Sequence, residues 1–168
     1  MCESSLYATA VHEAGHAVIG RVLGMLCGHV TIDADEDSSG HGIVDEPYAI
    51  CSAWEQRGRY REMSTVIIGR IMTFMAGAES EVEILGSCRG GDDGDRYQIR
   101  SMMLTRWCAI PNYGEPGDEA WIRYESRLRA RTRGLVCRHR DKIRRVANAL
   151  LIRRTLSGDE VEAVIRVG

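Results

Sequence analysis

Several residue types and patterns are scarce in this 168-residue sequence. A membrane-spanning helix needs roughly 20 mostly apolar residues, whereas the longest stretch without Asp, Glu, Lys or Arg runs only from Val22 to Ile32. The single lysine, Lys142, does not follow a glycine, so the GK[ST] signature of a phosphate-binding loop is missing. The sequence therefore predicts neither a membrane segment nor a nucleotide-binding loop of that class.

Paired cysteines are also lacking. The six cysteines are spread along the chain without a CxxC pair, and no secretory signal precedes them. This pattern favours reduced thiols in the cytoplasm over a disulfide framework. We expect Cys27, Cys88 and Cys108 to be buried as small apolar side chains. The chain is 44% hydrophobic and 27% charged, which is typical of one compact domain with its own core.

Charge is distributed unevenly along the chain. Residues 1–120 hold 19 acidic and nine basic residues, whereas residues 121–168 hold five acidic and 13 basic residues. Arginine clusters of this kind occur in nucleic-acid-binding proteins. Here they alternate with apolar residues at helical spacing and have few aromatic neighbours, so we favour the exposed face of amphipathic helices. An oligomer that joins the basic helices of one copy to the acidic part of another is also compatible with these charges.

Hydrophobic periodicity predicts a mainly α chain with a small β-sheet. The predicted elements are a helix over Leu6–Gly28, strands at His29–Asp33 and Gly42–Asp45, one long helix or a kinked pair over Glu55–Leu85, a helix over Asp95–Ala109, and a basic helix over Asp118–Arg153 that is continuous or interrupted near Gly134. Ser157 and Glu160 have the spacing of a capping box and predict the start of a last short helix.

The segment AVHEAGHAV, residues 10–18, contains an HExxH motif on the first predicted helix. His12 and His16 are four residues apart, so both can offer an imidazole nitrogen to one metal ion. Glu13 is rotated by about 100° around the helix and can act on a water molecule beside that ion. Zn²⁺ suits this combination best. The alternative is two ordinary histidines, but unpaired polar groups in such apolar surroundings would cost free energy.

A catalytic metal site of this kind needs a third protein ligand, and the residues alone leave its identity open. Ile19 and Val22 occupy the positions of the glycine and the last histidine in HExxHxxGxxH, so that pattern is excluded. Glu36 lies in a polar loop, and we interpret it as a solvated acid. Aspartates that precede a helix can also serve only as caps. The other acidic candidates are Glu79, Glu81, Glu83, Asp92, Asp93 and Asp95.

An ordered set of motifs resembles the zinc peptidase domain of FtsH-type AAA proteases. The motifs are AVHEAGHAV at 10–18, VTID followed after a loop by GHGIVDEP, AGAESEVEILG at 76–86, GGDDGDRYQIRSMM at 90–103 and ANALLIRRTLSGDEVEAVI at 147–165. HExxH alone is shared with many zinc peptidases, whereas the ordered set covers the whole chain. The resemblance implies a zincin-like, mainly α peptidase domain with HExxH on its first helix.

Carried over by motif position, the resemblance implies that His12, His16 and Asp95 bind zinc and that Glu13 is the general base. Glu81 matches the first glutamate of the family's AAEE segment and would contact a zinc ligand rather than the metal. FtsH proteins also carry transmembrane segments and an ATPase module, which this sequence lacks. We therefore expect a stand-alone, ATP-independent peptidase domain over 1–168, with a zinc-site core at 1–115 and basic C-terminal helices at 116–168.

The predicted function is that of a zinc-dependent endopeptidase acting on peptides or unfolded proteins, with a separate unfoldase as a partner for folded substrates. The strand containing Gly42, Ile43 and Val44 is either a platform for an extended substrate or ordinary sheet. His41, between two glycines, is interpreted as a solvent-facing loop residue. The alternative functions are a non-proteolytic regulatory or partner-binding domain that retains the zinc fold and, less favoured, an arginine-rich nucleic-acid-binding module.

Overall fold

The structure, a computed structural model, describes residues 3–25, 27–33, 41–44, 46–89, 92–104 and 117–167. In chain order its elements are α1 (Glu3–Val22), β1 (Cys27–Thr31), β2 (His41–Val44), α2 (Pro47–Glu55), α3 (Met63–Leu85), α4 (Asp93–Leu104), α5 (Glu119–Arg153), β3 (Thr155–Leu156) and α6 (Gly158–Arg166). The prediction of a mainly α fold with a small sheet is confirmed. Within these ranges, no helix combines the length and apolar character needed to cross a bilayer.

Three long helices, α1, α3 and α5, pack against one another at the centre of the fold. Val11 and Val18 of α1 are fully buried in one apolar cluster with Val146 and Leu150 of α5 and Ala76 of α3. Small side chains on α1 and α3 allow these two helices to approach closely, and this approach matters for the site described below. The histidine-bearing helix is therefore held on two sides by apolar contacts.

A second apolar cluster places α4. Ile71 and Met75 of α3 pack with Ile99 and Met103 of α4, and Leu128 of α5 joins them. These contacts hold α4 along α3, so that its first turn lies near α1. Apolar packing thus sets the position of the acidic residues at the start of α4.

The sheet has the order β2-β1-β3, and β1 is antiparallel to both neighbours. Val30 of β1 pairs with Gly42 on one side and with Leu156 on the other. His41, predicted to lie in a loop, is instead the first residue of β2 and pairs with Thr31, the last residue of β1. Among the described strands, β2 lies at one edge of the sheet.

The segment before α3 differs from the prediction. Glu55 is the last residue of a separate helix, α2, and does not begin a long one. Pro47 occupies the first turn of α2, where its fixed φ and missing N–H are tolerated. Gly58, with φ of 67°, follows α2 in a backbone conformation that favours glycine. α1 likewise ends at Val22 and not at Gly28, because the chain turns at Gly24, whose φ is 73°.

α5 is one continuous helix of 35 residues, and Gly134 does not interrupt it. The buried residue Val136 anchors the helix to the core close to that glycine. Near Val136, Arg133 pairs with the buried Glu79 of α3 at 2.9 Å, and Arg140 lies 3.7 Å from Glu83. Part of the arginine cluster therefore holds α5 to α3 within the chain.

α6 begins at the predicted capping box. The Ser157 hydroxyl accepts a hydrogen bond from the Glu160 backbone N–H at 3.3 Å, and the Glu160 carboxylate accepts one from the Ser157 N–H at 2.7 Å. The capping-box prediction is confirmed. The prediction that Cys88 is buried is wrong, since it is partly exposed in the loop that follows α3. The side chain of Cys27 and the whole of Cys108 lie outside the described residues.

Candidate metal centre

Two histidines of α1 and one aspartate of α4 meet at the packing junction of α1, α3 and α4. The Nε2 atoms of His12 and His16 lie 2.9 and 3.0 Å from the same carboxylate oxygen, Oδ2 of Asp95. Both imidazoles are buried, and 17% of the Asp95 side chain is exposed. One candidate ligand atom from each residue lies within 4.8 Å of the others. The structure therefore brings these three residues into one possible metal site.

The second nitrogen of each imidazole is held by α3. His12 Nδ1 lies 2.6 Å from the Glu81 carboxylate, and His16 Nδ1 lies 2.8 Å from the backbone carbonyl oxygen of Thr73. Because both acceptors favour a proton on Nδ1, they leave each Nε2 lone pair available for a cation. Carboxylate and carbonyl partners of this kind are the usual outer contacts of metal-binding histidines. Sequence patterns cannot reveal a backbone acceptor such as the Thr73 carbonyl.

Glu81 also connects the histidines to the loop between α3 and α4. Its Oε1 contacts His12, while its Oε2 accepts a hydrogen bond from the backbone N–H of Arg89 at 2.8 Å. Glu81 is 2% exposed. It thus lies beside the three candidate ligands and restrains both an imidazole and the chain that leads to Asp95.

Gly77 of α3 is a site residue that sequence reasoning missed. A Cβ atom at this position would lie 2.5 Å from His12 Nε2 and 2.6 Å from His16 Nε2. Gly15 of α1 has a similar role, because its Cβ would lie 2.4 Å from the Ser80 hydroxyl oxygen and 2.7 Å from the Ala76 carbonyl oxygen. The sequence indicates this close approach of α1 and α3 only through the small residues that both helices carry at these points.

The electrostatics of the cluster favour positive charge. Burial lowers the pKa of His12, but hydrogen bonds with Asp95 and Glu81 and the nearby negative charges outweigh it and raise the pKa to about 10. Burial opposes protonation of His16 as well, yet the charge of Asp95 raises its pKa above the ordinary value. Burial alone would raise the pKa of Asp95, whereas the two imidazoles hold it well below its usual range. Protons and metal cations therefore compete for the same nitrogens.

Glu13 follows His12 on α1 and is 6% exposed. Its negative charge raises the pKa of both His12 and His16, so the carboxylate lies close to the two imidazoles. It is separate from the three residues whose candidate ligand atoms cluster. A buried carboxylate in this position can accept a proton from a molecule bound beside the histidines.

Apart from Asp95 and Glu81, the described acidic candidates lie away from the two histidines. Asp92 is buried and forms a 2.8 Å ion pair with Arg96, while Asp93 is exposed at the start of α4. Glu79 pairs with Arg133 of α5 at 2.9 Å. The prediction for Glu36 falls outside the described residues. Of the acids considered from the sequence, Asp95 is the one whose carboxylate joins the cluster of candidate ligand atoms within the described ranges, while Glu81 contacts His12 through Nδ1.

The residues present fit a zinc ion by the chemistry of their donors. Two imidazole nitrogens and one carboxylate oxygen are common zinc ligands, and three protein ligands are typical of catalytic sites with one open position. Each imidazole is also oriented through its other nitrogen, as described above. Buried histidine and aspartate side chains around one point thus define a candidate metal centre on a helical scaffold.

Comparison with known proteins points to one group of metalloproteases. The chain is similar to the ATP-dependent zinc metalloprotease FtsH 1 of Symbiobacterium thermophilum, with 29% identity over 177 residues. The similarity covers 94% of this chain but only 28% of the relative. No protein-family model matches the chain. The finding indicates a distant FtsH-like relationship that covers little more than a quarter of the relative's length.

Proposed function

We propose that this protein is a zinc-dependent endopeptidase. The observation that carries the proposal is the convergence of two imidazole nitrogens on one oxygen of Asp95, with both imidazoles anchored from behind by α3. Similarity to a protein named as a zinc metalloprotease supports the same reaction class. In this proposal His12, His16 and Asp95 hold the metal, as their motif positions predict.

The residues around the metal have distinct roles in the proposed reaction. When bound, zinc supplies Lewis-acid chemistry that polarises a peptide carbonyl and makes water acidic enough to react near neutral pH. Glu13 accepts the proton of the attacking water on its carboxylate and delivers it to the nitrogen of the departing amine. Glu81 and the Thr73 carbonyl hold the imidazoles in position, so they act through the ligands and not on the substrate.

The edge strand β2 offers a binding surface for an extended peptide. The backbone of Gly42, Ile43 and Val44 lies in β2, which pairs with β1 on one side only among the described strands. An added strand would supply main-chain hydrogen bonds without demanding one particular sequence. Since such pairing requires an extended chain, the proposed substrates are peptides and unfolded proteins, and a separate unfoldase would be needed for stable folded ones.

Metal analysis and proteolysis of matched variants test the proposal. The zinc-loaded wild type should cleave unfolded casein, while Glu13→Gln should bind zinc in wild-type amount and lose at least about 100-fold in activity, as expected for a general base. Asp95→Asn should retain less zinc after dialysis. Full activity of Glu13→Gln would refute its role. Zinc binding without cleavage of any unfolded substrate by the wild type would favour the non-proteolytic alternative.

A further inference from the structure

The face of α3 that meets the metal centre continues beyond it to a buried arginine. Arg70, Phe74, Gly77 and Glu81 are spaced by four, three and four residues, so they share one face of the helix. Glu81 contacts His12, Gly77 lies against both Nε2 atoms, and the Phe74 ring lies 6.3 Å from the ring of His16. Arg70 is therefore next to the candidate metal centre along α3.

The Arg70 guanidinium is built into the fold. The Arg70 side chain is 10% exposed, and its guanidinium carbon, Cζ, lies 5.7 Å from the centre of the Phe74 ring. Nη1 and Nη2 donate to the two carboxylate oxygens of Glu46 at 3.3 and 3.1 Å. This two-pronged arrangement is the one by which arginine recognises carboxylates.

The partner of this arginine has the opposite character. The Glu46 side chain is 77% exposed, and the residue lies just before α2, two positions after the end of β2. A buried cation thus pairs with a carboxylate that is itself mostly exposed to solvent. Because a buried cation needs an anionic partner, a second carboxylate that replaced Glu46 would keep the guanidinium paired while the exposed Glu46 side chain returned to solvent.

A second buried arginine provides a matched control. Arg21 of α1 has an 11% exposed side chain, pairs with Glu162 and donates to the carbonyl oxygens of Ala17 and Gly158 at 3.0 Å each. Those backbone contacts tie α1 to α6. The Arg21–Glu162 pair therefore has similar burial of the cation but a different location, and it serves as a matched control.

We propose that Arg70 binds a carboxylate of the substrate and that Glu46 occupies its guanidinium in the absence of substrate. This inference rests on the proposed function. The contacts through Phe74 place the guanidinium within about 12 Å of the His16 ring, a distance that three to four residues of extended peptide span. Val44 ends β2 and Glu46 lies two positions further along the chain, a separation of at most about 7 Å, so a peptide paired along β2 would reach the neighbourhood of the Arg70–Glu46 pair. The carboxylate recognised is an Asp or Glu side chain or the α-carboxylate of a C-terminus, three or four residues from the cleaved bond.

Matched peptides and four variants test this carboxylate site. One peptide series carries Glu or Gln at each position around the cleaved bond, and a second ends in a free or an amidated carboxyl group. For the wild type we expect the carboxylate form to have a KM about 10-fold lower at one position, with kcat little changed, because one charge-assisted pair contributes about that factor. Arg70→Gln should abolish the preference, and the arm that shows it identifies the source of the carboxylate.

Glu46→Gln distinguishes substrate recognition from a structural ion pair. Removal of the internal carboxylate should lower KM for the carboxylate peptide several-fold and leave KM for the neutral peptide unchanged. A purely structural pair would instead give equal losses for both peptides. Arg21→Gln and Glu162→Gln should leave the ratio of the two KM values at its wild-type value. Equal KM values for both peptide forms in the wild type would overturn the proposal while leaving the peptidase function intact.

A binding measurement separates this site from catalysis. Fluorescence anisotropy with labelled peptides and zinc-loaded Glu13→Gln protein should show the same carboxylate preference, lost on adding Arg70→Gln. If the wild type cleaves no peptide but Arg70-dependent binding persists, the carboxylate site stands and the proposed function fails. If binding is indifferent to the carboxylate in both proteins, the carboxylate site is refuted.

Discussion

Replacement of Gly77 by alanine should greatly weaken metal binding while the fold survives. The added Cβ would lie 2.5 and 2.6 Å from the Nε2 atoms of His12 and His16, about 0.8–0.9 Å short of the 3.4 Å at which ordinary contact begins. Both imidazoles would have to move by a large part of that distance, whereas zinc–ligand distances tolerate about 0.2 Å. Loss of a single outer contact weakens metal binding about 10–100-fold. Displacement of two ligands should therefore weaken it by more than about 100-fold.

The stability of the Gly77→Ala variant should change much less. Overpacking in a core costs about 1–3 kcal/mol, while alanine is favoured over glycine within a helix by about 1 kcal/mol. Gly77 lies in the interior of α3, so both terms apply and largely offset each other. We expect a native far-UV circular dichroism spectrum and a free energy of unfolding of the metal-free protein within about 2 kcal/mol of wild type.

Gly134→Ala is the matched control for this substitution. Gly134 lies within α5, and a Cβ there would meet no atom within 4 Å. This variant should gain about 1 kcal/mol in unfolding free energy and bind zinc with wild-type affinity. Zinc affinity is measured by competition with a chromophoric chelator, and stability by urea unfolding. Wild-type zinc affinity in Gly77→Ala would refute the placement of the imidazoles against α3.

Three further substitutions test the neighbouring contacts. Glu81→Gln should weaken zinc binding about 10–100-fold in the chelator assay, because it weakens the charged contact to His12 Nδ1. An unchanged affinity would mean that Glu81 does not support the metal centre. Gly15→Ala should lower the urea midpoint by the equivalent of about 2 kcal/mol, since its Cβ would lie 2.7 Å from the immobile Ala76 carbonyl oxygen; an unaltered midpoint would contradict the close approach of α1 and α3. Ser157→Ala should lower the free energy of unfolding by about 1 kcal/mol through loss of the α6 cap and leave zinc affinity unaltered. A loss of zinc binding would contradict the separation of α6 from the metal centre.

Sequence periodicity predicts most of the long helices but not their ends. α1 and α5 have sustained apolar stripes, and the capping box at Ser157 is a local pattern that needs no tertiary contact. Periodicity does not reveal α2, because its nine residues are too few to establish a period, although Pro47 is a start signal. β3 has only two residues, Thr155 and Leu156, and exists because β1 offers a partner. A strand that depends on a distant neighbour has no signature of its own.

The candidate site was predicted unevenly, for physical reasons. The spacing of His12 and His16 within one helix is enough to place both imidazoles on one face, so local sequence predicts that half. The approach of Asp95 depends on the packing of α4 against α3, and spacing alone does not distinguish it from the neighbouring acids. The resemblance to FtsH-type peptidases implies Asp95, which lies 2.9 Å from His12 in the structure. The supporting Thr73 carbonyl and the absent side chain of Gly77 carry no recognisable pattern.

α3 organises this site although it supplies none of the three candidate ligands. Its Thr73 carbonyl and Glu81 carboxylate orient the two imidazoles, its glycine makes room for them, and the second oxygen of Glu81 holds the Arg89 backbone on the path to Asp95. Binding of a cation by all three ligands would therefore fix α1 and α4 against the same face of α3. Because metal binding and ordering of these contacts are linked, zinc should stabilise the packed helices as well as complete the site.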